Sequence, residues 1–123
     1  MSRAPLPARR IAAGRPEATS VGEVRVVPLP PDANGVPREG LLLRDEAGAL
    51  RAYLNRCRHL PTTLDAAGRK FFSADRRHLQ CQTHGALYRL TDGYCVEGPC
   101  EGSALHRLEL EVEGDTLFIL LED

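Results

Sequence analysis

Short apolar runs alternate with turn-forming residues along most of the chain. Residues 22–28 (GEVRVVP) alternate well enough for a strand, and residues 30–40, with Pro30-Pro31 and Asn34-Gly35, read as a loop or hairpin turn. Residues 41–44 and 49–55 form a hairpin across 45–48. Further on, 71–73 and 77–80 flank a turn at 74–76, and 86–90 and 94–96 flank Thr91-Asp92-Gly93. Residues 105–112 place Leu108, Leu110 and Val112 on one face and Glu109 and Glu111 on the other, with Glu113 continuing the acidic face. After the turn at 113–115, residues 116–121 return as a mostly apolar, more fully buried strand. No segment carries a helical period and no repeat is visible. About eight to ten short strands in one domain predict an all-β antiparallel sandwich or barrel.

Composition supports one domain. The 123 residues are 42% hydrophobic and 27% charged, enough for a single modest core, and Gly 11 with Pro 9 suits a turn-rich β protein. No apolar run approaches the roughly 20 residues that span a bilayer, which excludes a transmembrane anchor. Residues 1–18 are rich in Arg and Pro without apolar periodicity and read as a disordered tail, so the domain is expected at 19–123. Arg9-Arg10 matches the pair of an export signal, but Gly14-Arg15-Pro16 interrupts the apolar stretch that such a signal needs, and the expected location is the cytoplasm.

Charge is uneven although the net is -1. Residues 1–27 carry +3, 28–59 +1 and 60–90 +3, whereas from Thr91 onward Arg107 alone opposes nine acids. A general nucleic-acid binder would show a basic excess, so that class is set aside, and a polarised surface for a protein partner is left.

The chemistry is concentrated in two loops. Cys57-Arg58-His59 follows one predicted strand and Cys81-Gln82-Thr83-His84-Gly85 follows another, so each loop presents one thiolate and one imidazole. Thiolate and neutral imidazole are the donors that hold zinc and iron–sulfur centres. A structural zinc finger pairs Cys with Cys on one arm and His with His on the other, whereas both arms here are mixed. Mixed arms suit two irons, with both cysteines on one metal and both histidines on the other. A zinc-binding structural module stays open at this point.

Cys-x-His followed by Cys-x-x-His-Gly resembles the ligand signature of the Rieske iron–sulfur proteins, over about residues 24–121. The resemblance implies a Rieske-like antiparallel β fold with a small cluster-binding subdomain at about 56–101. It also implies a [2Fe-2S] cluster with Cys57 and Cys81 on one iron and His59 and His84 on the redox-active second iron. Gly85, Tyr88 and Gly93 fit the family's continuation after the second loop. Gly98-Pro99 fits its proline loop beside the cluster, and Leu64 the apolar residue closing the first loop.

Several positions depart from the family. Residues 60–80 are longer than in many small Rieske ferredoxins, Pro61 replaces a small residue, and Arg89 stands where an Asp is common. Thr62 and Thr83 occupy the positions of the disulfide found in the cytochrome-complex members, so that bridge cannot form. Ala86 replaces a serine that donates to a cluster sulfide there, whereas Tyr88 is retained. Cys95 and Cys100 lie beside the proline loop and are expected as free thiols, with a local disulfide, a second metal site or a redox sensor as the alternatives. His78 and His106 are assigned to packing or surface.

The resemblance implies a ferredoxin-type one-electron carrier between a reductase and a terminal oxygenase or other redox enzyme, without a catalytic site of its own. A small subunit of a larger oxidoreductase is the second reading. Arg58, Arg69, Lys70, Arg76 and Arg77 are expected to border the cluster tip and steer a partner.

Overall fold

The computed structural model describes residues 9–56, 64, 71–75, 77–81, 85–98 and 102–121. Among the described residues there are nine strands: β1 Arg9–Ala12, β2 Val24–Leu29, β3 Arg38–Arg44, β4 Leu50–Leu54, β5 His78–Gln80, β6 Leu87–Arg89, β7 Cys95–Glu97, β8 Glu109–Glu113 and β9 Thr116–Leu121. They form three antiparallel sheets, β2-β3-β4, β1-β9-β8 and β5-β6-β7. Among the described residues the only helical element is a single 3-10 turn at Pro16–Ala18.

The β2-β3-β4 meander is the central layer. Leu41, Leu42 and Leu43 on β3 are all fully buried, because alternate side chains point to opposite faces and both faces are covered. Leu41 and Leu43 join Tyr53, Leu64, Leu79, Cys81, Tyr88 and Leu105 in the core under the β5-β6-β7 sheet. Leu42 joins Ala52, Leu108, Leu117 and Ile119 in the core under β1-β9-β8. This two-sided burial explains why a strand expected as half of a hairpin reads as an unbroken apolar run.

The β3–β4 turn is fixed by Asp45. Its buried carboxylate accepts from the N–H groups of Ala47 (2.9 Å) and Ala49 (3.0 Å) and from Arg51 Nε (3.1 Å). Burial pushes the carboxyl up, but the hydrogen bonds from Ala49, Arg51 and Ala47 outweigh it and hold Asp45 below the usual carboxylate value.

The run 105–112 is extended as expected but changes partner. Arg107 bridges Tyr53 on β4, the Leu108 N–H donates to the Ala52 carbonyl, and from Glu109 onward the chain is β8, paired with β9. One stretch of chain thus ties the central sheet to its neighbour. Val112 departs from the alternation: it is 54% exposed, because β8 is an edge strand that runs past the core toward the turn at Gly114.

The reading of residues 1–18 as a tail does not hold from Arg9 on. Arg9–Ala12 is β1, in register with β9 from Arg9↔Leu121 to Ala12↔Phe118. Ala13 is buried, and Arg25 donates to its carbonyl. Arg44 donates to the carbonyls of Thr19 (2.7 Å), Pro16 (2.8 Å) and Gly48 (2.7 Å), pinning the following segment to the central sheet. Four residues paired with the far end of the chain leave no local periodicity to detect.

The charge asymmetry is partly cancelled by the same pairing. Arg10 lies 3.3 Å from Glu111 and 2.8 Å from Glu113, covers the ring of Phe118, and Arg15 faces Asp115. Arg10 and Arg15 therefore lie along the acidic β8–β9 hairpin.

Candidate metal centre

The β5-β6-β7 sheet carries the second Cys/His loop. Its strands have only three residues each, so loops and packing hold it more than its ladders do. Residues 71–73 flank β5 as expected: Phe72 bridges Leu79, and the Gln80 N–H donates to the Phe71 carbonyl at 2.7 Å. In the turn between them, the Ser73 hydroxyl bonds Asp75 at 2.6 Å and holds its carboxyl below the usual value.

Cys81 directly follows β5 and is fully buried in the core under this sheet. Its N–H donates to the Ala86 carbonyl (2.9 Å), and its own carbonyl accepts from the Gly85 N–H (2.8 Å). Those two bonds close the loop at both ends. Leu64, just beyond the first ligand loop, is fully buried in the same core. Of the four expected donors, Cys57, His59 and His84 lie outside the described residues, as do Arg58, Pro61, Thr62, Arg69, Lys70, Arg76, Thr83 and Cys100. Arg77 is exposed beside β5, His78 is half-buried on it, and His106 is exposed.

The third loop meets the second at Gly98. With φ of +105°, a side chain there would be strained, and a Cβ would fall 2.7 Å from the Ala86 Cα. Cys95, in register with Tyr88 across β7 and β6, is fully buried and its thiol lies 3.3 Å from the Glu97 carbonyl. Tyr88 is fully buried as well.

Arg89 brings its own turn interaction in place of the missing Asp. It pairs with Asp92, whose carboxylate also accepts the Tyr94 N–H at 3.0 Å, and the Arg89 hydrogen bond is the main reason Asp92 sits below the usual carboxylate value. Both groups are about half exposed, so the pair adds little stability.

Two residues not singled out from the sequence tie the centre to the central sheet. Tyr53 is fully buried and donates from its hydroxyl to the Leu90 carbonyl at 2.7 Å, and burial pushes its phenol up to about 12. Gly93 (φ +73°) lies against its ring, where a Cβ would come within 2.8 Å of Cε1. Asn55, the second, accepts the Leu64 N–H at 2.9 Å. Its place two residues before Cys57, at the end of a strand, was the available signal.

The described parts fit a metal cluster between loops. A buried thiol at a strand end, a loop closed on itself, and Gly98 pressed without a side chain against Ala86 make a packed base around Cys81. The family model of the Rieske [2Fe-2S] domain matches residues 7–115. The chain belongs to that family, and its cofactor is a [2Fe-2S] cluster.

Solved structures show the same fold. The chain is similar to the complex of oxygenase and ferredoxin in carbazole 1,9a-dioxygenase, with TM-score 0.71 and 20% identity over 94% of this chain. It is also similar to the terminal oxygenase of carbazole 1,9a-dioxygenase from Nocardioides aromaticivorans IC177, with TM-score 0.70 and 20% identity over 94% of this chain. It spans 29% and 30% of those matched chains. The ferredoxin of the same Nocardioides system matches with TM-score 0.65 and 19% identity, over 91% of this chain and 97% of the ferredoxin. No curated protein sequence matches. No helix among the described residues is long and apolar enough to cross a membrane.

Proposed function

We propose that this protein is a one-electron carrier of the ferredoxin type, passing electrons from a reductase to a terminal oxygenase or another redox enzyme. Cys57 and Cys81 hold one iron and His59 and His84 the other, from a unit at about residues 56–101 of one Rieske domain. When bound, the cluster takes up and releases a single electron. Two imidazoles in place of two thiolates keep the donor set less negative, which favours the reduced state. Cys57, Cys81, His59 and His84 would supply all the protein donors the cluster needs, so it would serve electron transfer and not substrate binding. The chain's own part is therefore binding and tuning, without catalysis. Operation in the cytoplasm belongs to the same proposal.

The observation that carries the reading is the family match over residues 7–115, with the two mixed Cys/His loops inside it. Further support is the overlap with a ferredoxin over nearly the full length of both chains. Purified aerobically, the protein is expected to be red-brown, with two irons and two acid-labile sulfides per chain. It should accept one electron and pass it to an oxygenase faster than the reductase alone does. Colourless protein with one zinc per chain sinks the proposal, and a stoichiometric large partner that never dissociates replaces the mobile carrier with a bound subunit.

A further inference from the structure

The two flanks of the first ligand loop are joined by one side chain. Asn55 follows β4, is buried, and its Oδ1 accepts the N–H of Leu64 at 2.9 Å. Seven residues, 57–63, separate Arg56 from Leu64, and they include Cys57 and His59. Leu64 is itself fully buried against the core that contains Cys81. The other end of the Asn55 amide is also occupied: Nδ2 donates to Glu39 Oε1 at 3.1 Å, and the Asn55 N–H donates to the Glu39 carbonyl at 2.9 Å. Glu39 lies on β3, the strand buried on both faces.

We infer that Asn55 is a positioning residue for the first ligand loop and that Glu39 sets the direction of its amide. The inference rests on Cys57 and His59 being ligands. An amide has one accepting and one donating end, and only one of its two orientations satisfies both neighbours. The Glu39 carboxylate can only accept, so it takes Nδ2 and leaves Oδ1 facing the Leu64 N–H. Turned over, the amide would set oxygen against carboxylate and N–H against N–H. The bond from Leu64 then closes the loop at its base, with the most rigid strand of the central sheet behind it. Loss of Asn55 leaves a buried N–H without its acceptor and frees both ends of the loop.

The test uses the iron-loaded full chain and follows iron transfer to a chelator, the visible circular dichroism of the cluster, and amide exchange at Leu64. Asn55→Ala is expected to speed iron release by about tenfold. Glu39→Ala, which leaves the amide undirected, should speed it by a smaller factor, and Glu39→Gln, which keeps an accepting oxygen, should stay within about twofold of wild type. Asp45→Asn serves as the control, since it weakens the β3–β4 turn away from the loop. It should lower the melting temperature and leave iron release and the cluster spectrum unchanged.

Equal release from Asn55→Ala and wild type overturns the inference, as does equal acceleration by Asp45→Asn, which would assign the effect to general stability. If Asn55→Ala fails to fold, the Glu39→Ala and Glu39→Gln pair decides: rescue by Gln supports the relay, and equal release from both overturns it. If the wild type holds no iron, the ligand assignment fails, and exchange at Leu64 in the metal-free protein decides the loop closure alone. Faster exchange in Asn55→Ala supports it, and unchanged exchange overturns it.

Discussion

The central β2-β3-β4 sheet and the β5-β6-β7 sheet have the same antiparallel topology but are held in different ways. The central sheet has strands of five to seven residues, continuous ladders, and a middle strand whose three consecutive leucines are buried on alternate faces. The other sheet has strands of three residues and a register shift between Leu87 and Tyr88. Its order comes from a closed loop, from Gly93 against Tyr53 and from Gly98 against Ala86. One region is specified by burial along strands, and the other by close approaches between loops. The second kind of order concentrates the tolerance for error at a few atoms.

The strongest way to break this contrast is to take the cluster away. Cys81→Ala is expected to abolish iron binding, and iron-free protein should exchange its β5, β6 and β7 amides fast while the β2-β3-β4 amides stay protected. Uniform loss of protection across both sheets would show that they form one cooperative unit.

Next in size is a pair of glycine substitutions. Gly98 and Gly48 both have positive φ, but a Cβ at Gly98 meets Ala86 whereas nothing lies within 4 Å at Gly48. Gly98→Ala should cost about 3 kcal/mol and release iron, and Gly48→Ala about 1 kcal/mol without iron loss. Thermal melts with iron assays check both. Equal costs would mean that loop-on-loop packing contributes nothing.

Smaller effects appear at the extremes of pH. Tyr53 has its phenol raised to about 12 against an ordinary 10, so the stability it confers is complete below pH 10 and is lost as pH rises toward 12. Tyr53→Phe should remove that alkaline loss and cost about 1 kcal/mol at neutral pH through the missing bond to Leu90. Asp45 in the central sheet behaves oppositely. Its lowered carboxyl contributes stability above its ordinary value of 3.8, which is lost as pH falls through the folded value, and Asp45→Asn should flatten the acid limb. Denaturant midpoints measured against pH for the two variants test both signs.

The smallest expected effect is where β1 meets the β8–β9 hairpin. Arg10→Gln removes pairs with Glu111 and Glu113 that are largely solvated, so it should cost at most about 1 kcal/mol, and less as salt is added. A larger, salt-independent loss would point to the packing of Arg10 over Phe118 instead.

Much of this was legible in the residues alone. Alternation and turn chemistry are local, so the β3–β4, β6–β7 and β8–β9 hairpins and the turn between 71–73 and β5 follow from neighbours in the chain, and the two Cys/His loops announce a metal centre by donor type and spacing. Residues distant in sequence were decided only by the tertiary structure. β1 exists because residues 9–12 meet the last strand, the two-sided burial of β3 because two other sheets cover it, and the exposure of Val112 because β8 ends at an edge. Tyr53 and Glu39 carry no mark of their roles in the sequence, and Asn55 only its place two residues before Cys57. Each acts through hydrogen bonds with residues 9 to 37 positions away, and a pattern of polarity along the chain records only which side faces inward, never which atom waits there.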